Sequence, residues 1–242
     1  MAAATGGVNR FYIILGIVAL IGVGALAWMA SRPSSVSIPA NVVIQPSDTA
    51  GFAGYVLGSP DAPVEIVEYA DYQCPACQDF EVVQFPAVRQ QLIETGKLRW
   101  RYRDFPLAQH QFARVAAHAV ACANDQGKFQ EMHSRVYEGQ GDWAFSGDAA
   151  AIFSDYAQEI GLNVTEYDAC MESGRYAARI QASAEEGAAV GVSSTPSFVI
   201  GGRIYRGGIA SDQLRRVVDS LAALAGPADT AAAGAADDTA AL

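Results

Sequence analysis

Two cysteines three positions apart, Cys74-Pro75-Ala76-Cys77, stand where a β-prone run ends and a helical pattern begins. Val64 to Tyr69 is the short β-prone run. Gln78 to Ile93 follows, with Phe80, Val83, Val88 and Leu92 among its apolar positions and Pro86 predicting a kink. A thiol at the start of a helix meets free backbone N–H groups and the positive end of the helix dipole, and both stabilise negative charge. In such motifs the first thiol titrates in a range of roughly 3.5–7.5. Pro75 suits the first helical turn, where its missing N–H costs nothing. Cys77, one turn along, can reach Cys74 and resolve a mixed disulfide. The competing readings of the pair are half a metal site and a structural crosslink.

Two further cysteines, Cys122 and Cys170, stand alone, and four thiols allow three pairings. In an oxidising compartment the expected state of Cys122 and Cys170 is a structural disulfide; the alternative is two buried free thiols. A zinc site would want a second close-spaced pair or suitably spaced histidines, which His110, His118 and His133 do not supply. No metal or other cofactor is expected beyond a redox-active Cys74–Cys77 pair. The net charge of −10 argues against nucleic acid as a partner, because phosphate binding needs a basic face.

Phe11 to Met29 is an unbroken uncharged run. As a helix it would extend roughly 29 Å at 1.5 Å per residue, close to the hydrocarbon thickness of a bilayer. Phe11, Tyr12 and Trp28 stand at its ends, where amphipathic rings favour the interface. Residues 11–30 therefore read as a transmembrane signal-anchor, with 1–10 cytoplasmic and the remainder extracytoplasmic. A cleaved signal peptide is the alternative, since Ala25-Leu26-Ala27 resembles a cleavage site. Residues 31–51, rich in Ser and Pro, read as a flexible tether. Residues 226–242, made of Ala, Gly, Asp and Thr with a Pro and a Leu, read as a disordered tail.

The folded part spans roughly 52–225. Lys97 to Asp104 alternates, with Leu98, Trp100 and Tyr102 on one face and three arginines on the other, which predicts a half-buried strand. Helices are expected over 111–124, 127–138, 148–161, 165–173 and 175–190, with Asp148 and Thr165 as N-caps. Ser197–Ile200 and Arg203–Tyr205 flank Gly201-Gly202 as a hairpin, and Ser211 caps a last helix. The pattern is β-α-β, a helical insertion, then β-β-α.

Three stretches, quoted in order, carry a family resemblance. Gly58-Ser59-Pro60-Asp61-Ala62-Pro63 leading into Val64–Cys77 is similar to the entry of the DsbA-like thioredoxin family. Cys122-Ala123-Asn124-Asp125-Gln126-Gly127-Lys128-Phe129 resembles its inserted helical domain, and Gly191–Gly202, with Thr195-Pro196, resembles its cis-proline loop. The resemblance implies an α/β thioredoxin-like fold built from residues 52–106 and 191–225, with 107–190 as a helical insertion. It implies that Cys74 is an exposed nucleophile and Cys77 a buried resolving thiol. Pro196, preceded by Thr195, would be a cis-proline facing the dithiol, and Glu68 and Glu81 would assist proton transfer at the buried cysteine. Ala76 departs from the Pro-His centre of the best-known members.

The expected function is oxidation of dithiols in exported proteins as they fold. Reoxidation would come from a membrane quinone-linked thiol oxidase, DsbB-like or similar to vitamin K epoxide reductase, a partner the resemblance alone implies. A disulfide reductase or isomerase, and a non-catalytic thioredoxin-fold binding module, are the alternatives. Electron flow turns on which form is stabilised: a thiolate held at a helix start favours the reduced protein, hence an oxidising disulfide. Asp71, Asp79 and Glu81 would oppose that thiolate if close.

Overall fold

Alternation in two central strands builds the sheet. Val64–Ala70 (β2) and Leu98–Asp104 (β3) each turn every second side chain inward, burying Val64, Ile66 and Glu68 from one and Leu98, Trp100 and Tyr102 from the other. They pair in parallel, Ile66 beside Trp100 and Glu68 beside Tyr102. Parallel neighbours need a crossover, and the helical stretch after the cysteines supplies it. The structure is a computed structural model that describes residues 6–30 and 36–225. Tyr55–Leu57 (β1), Ser197–Ile200 (β4) and Arg203–Arg206 (β5) complete a five-stranded sheet in the order β1-β3-β2-β4-β5. β4 runs antiparallel to β2, and β1 antiparallel to β3. β1, three residues long, is too short to show a period and was not expected from the sequence.

The crossover runs over residues 75–93 as Pro75–Asp79, Phe80–Gln84, Phe85–Val88 and Arg89–Ile93, the second and fourth in π geometry. The expected disturbance at Pro86 takes this form: a wider turn precedes the proline, whose nitrogen can donate no hydrogen bond. Phe80 and Phe85 pack on Trp100 and Phe198 at ring-centroid distances of 4.7–6.2 Å, forming the aromatic centre of the core. The last helix, Ser211–Ala225, adds Leu214 and Val218 to the same cluster.

The insertion is helical throughout, as Ala113–Asn124, Phe129–Glu138, Gln140–Trp143, Ala149–Glu159, Val164–Ser173 and Ala177–Ala189. Asp148 caps its helix by accepting from the Ala151 N–H. At the next helix the cap is Asn163, not Thr165, because the helix starts earlier and Asn163 accepts from the Glu166 N–H. Gly187 lets the Ala177–Ala189 helix lie directly on the sheet: a Cβ there would stand 2.8 Å from Phe105 and Tyr69.

Met1–Val36 and Ser37–Leu242 form separate units. In the first, Gly6–Ala30 is a 25-residue helix whose side chains, described from Phe11 to Gly24, are exposed. Among the described residues no helix is long and apolar enough to cross a membrane. The tether reading of 31–51 needs correction from Ser37 onward. Ile38 is buried and Pro46–Thr49 forms a helical turn closed by Asp48 on the Gln45 N–H. One apolar side chain with a site to fill outweighs a Ser/Pro-rich composition. Residues 31–35 and the 226–242 tail lie outside the described residues.

Candidate functional site

Cys74 is the N-cap of the Pro75–Asp79 turn, with extended backbone, and Cys77 faces the core one turn later. Both are free thiols. The Cys74 carbonyl accepts from the Cys77 and Gln78 N–H groups, so the helix starts at the motif itself. The Thr195–Pro196 peptide is cis and brings the Thr195 carbonyl oxygen 3.5 Å from Cys74 Sγ. This contact corrects the expectation of an exposed nucleophile. Cys74 is only 7% exposed, because the loop ahead of β4 lies over it.

The two thiols are driven apart in acidity. Cys74 is lowered from 9.0 to about 5, first by a hydrogen bond from the Cys77 side chain and further by the Cys77 and Ala76 backbone N–H groups, against the opposing effect of burial. Cys77 is pushed well up, by burial and by giving its hydrogen bond to Cys74. The pattern is that of one thiolate and one thiol sharing a proton. No imidazole at position 76 is needed, since Cys77 and the helix start already supply the donors. The feared opposition of Asp71 does not arise, because its carboxylate is committed elsewhere. It accepts from the Gln73 and Leu107 N–H groups and pairs with His110 Nδ1, all at 2.7 Å.

Glu68 and Glu81 are both buried rather than surface carboxylates. Trp100 Nε1 donates to Glu68 at 3.1 Å. Burial, then the nearby charge of Glu81, raises Glu68 well above the usual carboxylate range. Glu81, four residues beyond Cys77, lies 3.2 Å from His133 Nε2 and lines a cleft of about 170 Å³ with Phe85, Gln130 and Ser134. A second, wider depression of about 490 Å³ lies beside the motif, lined by Ala76, Phe80, Val83, Ile209 and Ala210 among others.

The insertion reaches the site through residues that carry no motif. Gln140 Nε2 donates to the Tyr72 and Cys74 carbonyls at 2.7 and 3.2 Å, and Gln73 Nε2 to the Ala144 carbonyl at 2.7 Å. Tyr72 meets His133 Nδ1 at 2.8 Å. None of these contacts has a local signal, since each joins residues 61 or more positions apart.

Against known families, the model described as thioredoxin matches residues 52–220, well over half of the chain. The chain belongs to the thioredoxin family. This thioredoxin-family chain is DsbA-like in fold: it superposes on the crystal structure of Chlamydia trachomatis DsbA with a TM-score of 0.64 at 19% identity, covering 78% of this chain and 100% of that one. It is 28% identical over 165 residues to a protein of Rickettsia typhi named as a putative protein-disulfide oxidoreductase, covering 68% of this chain and 60% of the relative. It is also 34% identical over 167 residues to a Na(+)/H(+) antiporter NhaA of Salinispora arenicola, covering 69% of this chain but 24% of the antiporter. The chain thus spans about a quarter of that relative and less than two thirds of the oxidoreductase.

Away from the dithiol, Cys122 and Cys170 are joined as a disulfide between the Ala113–Asn124 and Val164–Ser173 helices. His118 Nε2 sits 3.5 Å from Cys122 Sγ and 3.0 Å from the Cys170 carbonyl, a juxtaposition with a histidine that the sequence reading did not foresee. Burial lowers His118 to about 4, which keeps it neutral. Bonded to each other, the two sulfurs have no thiolate to offer a metal.

Proposed function

We propose that this chain is a thiol–disulfide oxidoreductase that oxidises dithiols of proteins folding outside the cytoplasm, through Cys74 and Cys77. One observation carries the reading: a thiol held near 5 at a helix start, beside a partner thiol pushed the other way. The name of the Rickettsia relative supports it. In the oxidised protein a substrate thiolate attacks Cys74 Sγ. The Cys74–Cys77 bond breaks, and Cys77 leaves with the electron pair and takes up a proton. A second substrate thiolate then attacks the substrate sulfur of the mixed disulfide. The substrate disulfide forms and Cys74 departs as the stabilised thiolate. Two electrons pass from substrate to protein.

Thr195 and Pro196 would pair with the substrate backbone over Cys74, and the apolar depression beside Ala76 and Ile209 would take its side chains. Glu68 and Glu81 would carry the Cys77 proton. The disulfide itself serves as the redox group, with no other cofactor. Reoxidation would fall to a membrane quinone-linked thiol oxidase, DsbB-like or similar to vitamin K epoxide reductase. The unbroken apolar run from Phe11 to Met29 supports an N-terminal signal-anchor holding the catalytic domain extracytoplasmic.

The test is dithiol oxidation of a reduced, unfolded model protein by the air-oxidised chain. Cys74→Ser should abolish turnover, and Cys77→Ser, mixed with the disulfide-bonded form of the model protein, should hold it as a mixed disulfide on Cys74. Full turnover by Cys74→Ser would reduce the chain to a binding module. A Cys74–Cys77 reduction potential near the −270 mV of thioredoxin would instead mark a reductant.

A further inference from the structure

Cys77 is almost wholly inside the protein, so the proton it gains or loses in each half-reaction needs a route. Glu68 is equally closed off, at 2% exposure. Glu81 stands in the wall of a solvent-facing cleft of about 170 Å³. Whether that cleft communicates with Glu68 depends on where the Glu81 carboxylate points. His133 is the side chain that lies against that carboxylate. It comes from the insertion and is 3% exposed; Nδ1 is hydrogen-bonded to the Tyr72 hydroxyl at 2.8 Å, and Nε2 lies 3.2 Å from a Glu81 carboxylate oxygen as an ion-pair contact. A hydrogen on Nε2 would face the Glu81 oxygen, and Nδ1 would then accept from the Tyr72 hydroxyl. The ring cannot turn, being walled by Phe129, Tyr102 and Tyr137 at centroid distances of 4.7–5.2 Å. Asp104 on β3 is also within electrostatic reach of the ring.

We propose that His133 is a positioning residue of the dithiol reaction, holding one oxygen of Glu81 so that the other links buried Glu68 to the cleft. This rests on the reading of Cys74 and Cys77 as the redox pair. When Cys77 leaves as a thiolate, Glu68 gives it a proton and is reprotonated from water in the cleft by way of Glu81. When a disulfide-bearing oxidant takes the electrons back, the same proton leaves in reverse. No atom of His133 touches the sulfurs, and the ring keeps its own hydrogen throughout.

The variants are His133→Leu, which removes the donor, and His133→Gln, which keeps an N–H of similar reach. Dithiol oxidation should slow roughly tenfold in His133→Leu, less than the roughly 10²–10⁴-fold of a general acid–base group itself because His133 acts through Glu81, and recover most of this in His133→Gln. The solvent deuterium isotope effect should rise in His133→Leu, while alkylation of Cys74 by iodoacetamide keeps its pH midpoint. If the buried substitutions prevent folding, Tyr72→Phe frees Nδ1 without opening a cavity and should slow the same step in the same sense. A ¹⁵N spectrum of histidine-labelled wild type should show His133 with hydrogen on Nε2. Wild-type rates in His133→Leu, or hydrogen on Nδ1 alone, would overturn the proposal while leaving Cys74 and Cys77 as the redox pair. Turnover that survives Cys74→Ser would overturn both.

Discussion

Cys74 and Cys77 differ by two residues of spacing and an opposite shift in acidity, and the cause is placement alone. Cys74 caps the helix and receives hydrogen bonds, whereas Cys77 gives one and is buried. A thiol lowered from 9.0 to about 5 stabilises the folded reduced protein fully above its unfolded value, and this gain is lost as pH falls through 5. Each unit is about 1.4 kcal/mol. Alkylation of the reduced chain should therefore report a Cys74 midpoint near 5, and a midpoint near 9 would show an unperturbed thiol. Asp104 shows the reverse sign. Burial raises it to about 6, and neither of its oxygens has a hydrogen-bond partner among the described residues. Its ionisation costs nothing below 3.8 and progressively more up to about 6. Asp104→Asn should melt above wild type at pH 7.5, with the gap closing by pH 4. A variant that melts lower at both pH values would show that Arg103 and Arg179 repay the buried charge.

At the scale of elements, the insertion does two things for the sheet. It clamps the approach to the motif, through Gln140 on the Tyr72 and Cys74 carbonyls, and it carries its own crosslink. The Cys122–Cys170 disulfide spans 48 residues, and restricting an unfolded loop of that size is worth about 4 kcal/mol in the chain-entropy model. Real crosslinks often deliver less, so the double Cys→Ser variant at Cys122 and Cys170 should lose on the order of 2–4 kcal/mol in denaturant unfolding. Its rate of dithiol oxidation should be unchanged, because His118, not the dithiol, is the disulfide's polar neighbour. Free thiols at both positions in air-oxidised protein, detected by mass spectrometry, would contradict the crosslink.

For the whole molecule the open expectation is at the N-terminus. If Phe11–Met29 stays in the mature protein, N-terminal sequencing of membrane-fraction protein finds residues upstream of Phe11, and protease added outside the cytoplasmic membrane digests the domain. A soluble protein beginning near Trp28 would identify a cleaved signal instead. The net charge of −10 adds no attraction to anionic head groups, so an anchor of this kind must hold by its apolar length.

What could be read from sequence was periodic or local. The inward alternation of Val64–Ala70 and Leu98–Asp104, the helix start at Cys74-Pro75, the turn at Gly201-Gly202 and the Asp148 cap all depend on neighbours within a few residues. Such patterns are set by side-chain period and backbone hydrogen bonding, which any stretch of chain carries with it. The motif residues also told which side chains share the site, with Thr195-Pro196 meeting Cys74 across 121 positions. Tertiary structure alone decided the rest: that Cys74 is covered, that Asp71 is turned away by His110 and Leu107, that Ile38 folds back, and that Gln140 and His133 enter from the insertion. Each of these is one polar or apolar side chain satisfying one distant partner. A single contact of that kind has no period and no spacing, so it exists only once the whole chain has closed on itself.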